Sequence, residues 1–249
     1  MSYQERTYRN RVSQNDLTSF RVRVRETDLM IYCDTDLSSE AVESVHIYRG
    51  FIESYISNHA DFLISLSPVR ADQFAPPIVR DMIAAASAAD VGPMASVAGA
   101  IAEYVANDLL TMSQNVIVEN GGDIFLKTQR GARVGIFAGN SPLTYKINLL
   151  LKPAQLPLGV CTSSGTVGHS LSFGKADAVC AVSKSSTLAD ASATAIGNLV
   201  KGKGDIRAAL ERGMEIDGVL GALIIVGDQL GVIGDIELDQ QNGKEQRKR

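Results

Sequence analysis

The sequence predicts a layered α+β fold whose sheet is mixed or largely antiparallel, with helices packed against it. Three observations point there. Short segments rich in β-branched residues come in runs and helix-forming segments come in groups, without the regular alternation that builds parallel βαβ units. The 249 residues are 45% apolar, enough to bury a substantial core as a single domain over 1–240 or as two closely joined lobes. The glycine pair Gly121-Gly122 lacks the G-x-G-x-x-G spacing that opens a Rossmann unit, so a nucleotide would be held differently.

Residues 20–24 and 29–33 alternate apolar and polar side chains around Glu26-Thr27-Asp28 and read as a hairpin. A long helix is expected over 39–58, with Val42, Val45, Phe51, Ile52, Tyr55 and Ile56 as one apolar stripe and His46 and His59 at its margin or end. Pro68, Pro76 and Pro77 mark an irregular connection. Beyond it, 78–89 and 97–110 read as alanine-rich helices separated by Gly92-Pro93, and the small residues of the second let it approach Asp190. Strands are expected over 116–119, 124–127, 133–137, 145–151 and 178–183. Helices follow over 185–198 and 205–212, then a terminal hairpin of 223–226 and 230–236 around Gly227-Asp228-Gln229. The edge of that hairpin can pair with a second copy as a homodimer. Residues 241–249 read as a polar, basic, disordered tail.

A net charge of -4 gives no general pull toward nucleic acid or an anionic membrane. Arg21, Arg23 and Arg25 alternate on one side of an early strand and read as a solvated face. No apolar run is long enough to span a bilayer, and the first residues, MSYQERTYRNRV, are charged and lack the apolar core of a signal peptide. Cytoplasmic residence is the expectation. Cys33, Cys161 and Cys180 are odd in number and lack CxxC spacing, which argues against a disulfide framework or a structural zinc site and for small buried side chains. Cys161 also precedes a polar loop, with His169 eight residues on, so a thiol nucleophile with a nearby base is a second reading of it.

The segment SSTLADASATAIGN, residues 185–198, places Asp190 and Thr194 four apart on one side of a helix of very small side chains. Ser185 or Ser186 can cap its start, and the carboxylate lies toward the positive end of the helix dipole. Such an oxygen pair suits Mg²⁺, which takes few protein ligands and keeps water or phosphate for the rest. A close-packed structural helix has the same composition. Upstream, NVIVENGGDIFL carries Asn120-Gly121-Gly122-Asp123 between two apolar runs, the pattern of a tight hairpin. Between these, CTSSGTVG, residues 161–168, reads as a polar loop able to cradle an anion.

In the order GGD, TSSG, a single His, then LADASATA, these segments resemble the ApbE family, flavin transferases first described as thiamine-biosynthesis lipoproteins. The resemblance runs from Gly92 onward and implies an ApbE-like, T-fold-like α+β domain. It implies Mg²⁺ on Asp190 and Thr194, helped by a main-chain carbonyl near Val97. It implies a flavin nucleotide, FAD or FMN, near Gly121, Gly122 and Asp123, with Thr162, Ser163, Ser164 and Gly165 along it. Glu103 matches the acid that follows the family's Ala-Lys-Gly segment, here Val97-Ala98-Gly99, so the family lysine is replaced by Ala98. The family's His-x-x-Asp-Pro-x-Thr-Gly is reduced to His169 and Gly174, leaving His169 as the general base, with Asp123 beside it in the catalytic set. The implied reaction moves FMN from FAD to a hydroxyl of an acceptor protein. The alternative is a non-catalytic accessory or sulfur-assimilation factor, serving homocysteine formation in anaerobes, that uses the same cleft and carries sulfur on Cys161.

Overall fold

The computed structural model describes residues 16–165 and 173–240. The hairpin β1 (Thr18–Val24) and β2 (Thr27–Cys33) leads into helices α1 (Ser38–Asn58), α2 (Ala60–Ile64), α3 (Pro77–Ala89) and α4 (Val97–Leu109). Strands β3 (Val116–Asn120), β4 (Asp123–Lys127), β5 (Ala132–Gly135), β6 (Ile147–Leu151), β7 (Leu158–Ser163) and β8 (Ala178–Ser183) follow. Then come α5 (Ser186–Leu199), α6 (Ile206–Gly213) and strands β9 (Val219–Val226), β10 (Gln229–Gly234) and β11 (Glu237–Gln240).

Eight strands form one sheet in the order β1-β2-β3-β4-β7-β8-β9-β10, and β11-β6-β5 form a second. Every pairing is antiparallel. The large sheet is therefore a meander broken by three excursions: α1 to α4 between β2 and β3, the strands β5 and β6 between β4 and β7, and α5 with α6 between β8 and β9. The expected α+β layering with a largely antiparallel sheet is what forms.

Side-chain alternation assigns the layers. Ile31, Cys33, Val116 and Val118 turn to the face covered by α1, α3 and α4. Their neighbours Tyr32 and Ile117 turn to the other face, against Val134, Ile147 and Leu149 of the small sheet. On β8 the same rule sends Val179 and Ala181 toward α5 and α6, and Ala178, Cys180 and Val182 toward the small sheet. Two helical groups thus divide one face of the large sheet, meeting where α4 packs on α5.

Three expectations need correction. The polar segment 161–168 is not a loop from its start: Cys161, Thr162 and Ser163 complete the strand β7 (Leu158–Ser163), because β4 and β8 both need its backbone for their ladders. Of the α1 stripe, Val45 and Ile52 are buried and Tyr55 and Ile56 pack against the core, but two positions differ. Val42 and Phe51 are exposed, and the buried face is Ala41, Ser44, Val45 and Ile52, since Ser44 and Tyr48 donate hydrogen bonds of 2.5 and 2.9 Å to Asp108 of α4. The short α2 and the final strand β11, which pairs with β6, were not expected at all. Arg21, Arg23 and Arg25 are exposed, as the solvated-face reading expects, and Arg21 also reaches Asp28 across the β1–β2 pair through two 2.7 Å contacts. The basic tail 241–249 lies outside the described residues. Among the described residues no single helix is long and apolar enough to cross a membrane.

Candidate functional site

The seam between α4 and α5 is built by an exchange of carboxylates. The first N–H groups of a helix lack partners within it and attract negative charge. At the start of α5, Ser185 is the cap and its side chain accepts from the Leu188 N–H at 3.3 Å. Glu103, from α4, adds its Oε2, which accepts from the Ser185 hydroxyl, the Thr187 N–H and the Thr187 hydroxyl at 2.9, 2.9 and 3.0 Å. In return, Asp190 of α5 reaches the start of α4, where its Oδ2 accepts the Gly99 N–H at 2.9 Å. The exchange needs the helices almost in contact. A Cβ on residue 99 would lie 2.3 Å from the Ser186 carbonyl oxygen and 2.8 Å from the Asp190 Cβ, so glycine is required there.

The β3–β4 hairpin closes the third side. Asn120 and Asp123 pair across a two-residue turn in which Gly121 and Gly122 have φ of 71° and 112°, values costly for residues with a Cβ. The Gly122 N–H donates to Glu119 at 2.8 Å, and the Asn120 side-chain amide donates to the Ala98 carbonyl at 3.1 Å. The hairpin tip is thereby docked on the start of α4. Asp123 then faces Cys161 across the β4–β7 ladder.

The electrostatics are those of a site short of positive charge. Asp123 is 8% exposed, and its Oδ1 has no hydrogen-bond partner among the described residues. Burial, and next the charge of Asp190, push its carboxyl well above the usual carboxylate range. Burial raises Asp190 to about 7 against the opposing N–H groups of Gly99 and Ala98. Burial, followed by the charges of Asp123 and Asp190, also pushes the Cys161 thiol well up. That thiol is fully buried, donates to the Ser186 carbonyl at 3.3 Å and lies 3.2 Å from the Ser186 hydroxyl.

Of the residues singled out from sequence, the structure gathers Asp190, Asp123, Gly121, Gly122 and the Val97-Ala98-Gly99 turn where the β3–β4 hairpin tip meets the α4–α5 seam. Thr194 stands one turn beyond Asp190 on α5. Thr162 and Ser163 end β7, while Gly165 donates its N–H to Ala176 at 3.0 Å. Glu103 is near but engaged at the start of α5. His169 lies outside the described residues. Asn120 and Gly99 were missed as site builders: the first reads as a turn residue, and the role of the second depends on how closely two distant helices pack. Two open grooves of about 510 and 550 Å³ lie elsewhere, at the Lys127 end of β4 and around Arg130 and Lys152.

Among the described residues no three His, Cys, Asp or Glu side chains converge as a metal cage. The donors present, one carboxylate with a free oxygen, a second carboxylate and a hydroxyl, still fit a hard cation that keeps most of its shell as water or phosphate.

The family model described as AbpE bacteria matches residues 9–238. The chain belongs to this family. Among other AbpE-like relatives, a UPF0280 protein of Methanococcus aeolicus is 41% identical over 222 residues, covering 87% of this chain and 90% of its own. A UPF0280 protein of Methanocaldococcus jannaschii is 43% identical over the same shares. The AbpE fold described above is similar to that of the flavinyl transferase ApbE of Pseudomonas stutzeri in its apo form, with a TM-score of 0.59 and 13% identity over 88% of this chain and 94% of that one. An ApbE protein of Thermotoga maritima gives a TM-score of 0.52 and 12% identity over 86% and 96%. At these identities the likeness to the solved structures is one of fold.

Proposed function

We propose that this AbpE protein binds the diphosphate of a flavin nucleotide with Mg²⁺ at Asp190 and Thr194, and transfers FMN from FAD to a hydroxyl of an acceptor protein. The observation that carries the reading is the buried Asp123 oxygen without a partner, facing Asp190 in a cleft where no Lys or Arg pairs with either carboxylate among the described residues. Two neighbouring buried carboxylates without a counter-charge are costly, and a divalent cation with its phosphate removes that cost.

When bound, Mg²⁺ would draw charge from the phosphate oxygens and stabilise the departing one. The chain's own residues orient the substrate. Asp190 is held by the Gly99 N–H, so its other oxygen is fixed in direction. Thr162 and Ser163 end β7 beside α5 and, with Ser164 and Gly165, would line the nucleotide. In the transfer the acceptor oxygen bonds to the FMN phosphorus, the phosphorus–oxygen bond to AMP breaks, and the acceptor proton passes to a base. In this reading Asp123 Oδ1, which has no hydrogen-bond partner among the described residues, orients or receives that proton, and His169 is the other base the sequence offers. Ala98 contributes no cation, and this favours a second reading in which the nucleotide binds without transfer. Sulfur carriage on Cys161 is disfavoured by its full burial and raised thiol pKa.

Calorimetric titration with FAD, in Mg²⁺ and then in EDTA, tests the reading. We expect binding that needs Mg²⁺ and is weakened at least tenfold in Asp190→Asn and Thr194→Val, each checked for folding by circular dichroism. Absence of heat with well-folded protein in Mg²⁺ would sink it. Incubation with FAD and a hydroxyl-bearing acceptor, scored for released AMP, separates transfer from binding alone.

A further inference from the structure

Helix α5 carries Asp190, Thr194 and Asn198 in one row, each four residues from the last. Eight residues of helix put Asn198 about 12 Å beyond Asp190. At that far end the chain after the nucleotide segment is fastened down. Asn198 Oδ1 accepts the Phe173 N–H at 3.0 Å, and Lys201 Nζ donates to the Phe173 carbonyl at 2.6 Å. The next residue, Gly174, lies so close to Gly197 that a Cβ on it would come 2.0 Å from the Gly197 carbonyl oxygen. Gly165, at the end of the Ser163–Gly165 run, is pressed against Gly174 in the same way, at 2.3 Å.

The backbone of Phe173 is therefore fixed beside the segment assigned to the nucleotide, yet its ring is 54% exposed, with Leu199 nearby at 47%. The other exposed phenylalanines, Phe51 and Phe74, belong to α1 and to the connection before α3. A rigid backbone holding an open apolar ring is what a flat heteroaromatic ligand stacks on. Resting on the flavin reading above, we infer that Phe173 is the platform for the isoalloxazine ring. The phosphate sits at the Asp190 end of α5, the ring at the Asn198 end, and the ribityl chain spans the interval. Phe173 then determines specificity for the flavin half of the nucleotide rather than for the diphosphate.

The test is calorimetry in Mg²⁺ with FMN, FAD, ADP and pyrophosphate on the wild-type protein, Phe173→Ala and Phe173→Trp. In Phe173→Ala we expect FMN and FAD to bind about tenfold more weakly and ADP and pyrophosphate to bind unchanged. The natural chain has no tryptophan, so Phe173→Trp supplies a single emitter. It should retain flavin affinity and lose emission as FMN binds. Unchanged flavin affinity in Phe173→Ala, or tryptophan emission indifferent to bound FMN, would overturn the assignment while leaving the site intact. Loss of ADP rather than FMN affinity would give the platform to adenine and overturn it equally. A wild-type protein that binds none of the four ligands would remove the flavin reading itself.

Discussion

At position 161 burial, and then the charges of Asp123 and Asp190, keep the thiol protonated against the opposing hydrogen bond with the Ser186 side chain. Cys33 and Cys180 are held up to about 12 by burial. Since the thiolate is the reactive form, a colourless-to-yellow disulfide reagent at pH 8 should find no rapidly reacting thiol in the native protein and three after denaturation. Cys161→Ser should leave Mg²⁺-dependent FAD binding intact. One fast native thiol, lost in Cys161→Ser, would revive a chemical role for that residue. At this scale the sequence is informative where a side chain acts on its own helix, as with Asp190 and Thr194 four residues apart. It is silent where the role is tertiary. Glu103 enters only as a family match until α5 is set against it, and Asn120 reads as turn chemistry until the carbonyl of Ala98 arrives at its amide.

Among the elements, α4 and α5 depend on each other's carboxylates, and Gly99 is the point of nearest approach. Gly99→Ala should cost about 1–3 kcal/mol in urea unfolding, because overpacking against backbone cannot be relieved by a rotamer change. It should also shift the Asp190 carboxylate and so weaken Mg²⁺-dependent FAD binding. A variant as stable as the wild type would show that the helices can part without penalty. Helices with alanine-rich stripes and hairpins with glycine turns were readable, since those signals are local. The strand β7 was not, because Leu158-Gly159-Val160-Cys161-Thr162-Ser163 carries no strong alternation and is a strand only by virtue of β4 and β8 on either side. Two positions of the α1 face, Val42 and Phe51, were misassigned for a related reason: hydrophobicity named them, whereas Ser44 and Tyr48, hydrogen-bonded to Asp108, take the inward side.

For the molecule as a whole, the first excursion is tied shut at Asp34, just after β2. Its carboxylate accepts from the Ser113 hydroxyl, the Gln114 and Asn115 N–H groups and the Asn115 side-chain amide, at 2.8, 2.8, 3.0 and 2.8 Å. Its slight desolvation pushes the pKa up, but these bonds outweigh it and hold the carboxyl below its ordinary range. A depressed folded value means that stability is fully present above the unfolded value near 3.9 and is lost as pH falls through the folded one. The urea midpoint should therefore drop more steeply from pH 5 to pH 3 in the wild type than in Asp34→Asn. Equal slopes would show that Asp34 does not couple protonation to folding.

The interrupted meander has a kinetic meaning. Neighbouring strands such as β2 and β3 meet only after the chain between Cys33 and Val116 has collapsed into helices, so sheet closure must wait on long-range encounters. The carboxylate cleft draws on β4, β7, α4 and α5, parts contributed by all three excursions or the strands that flank them. The carboxylates of Asp123 and Asp190 therefore come together only after each of those journeys has ended, so the proposed site is among the last features of the molecule to exist.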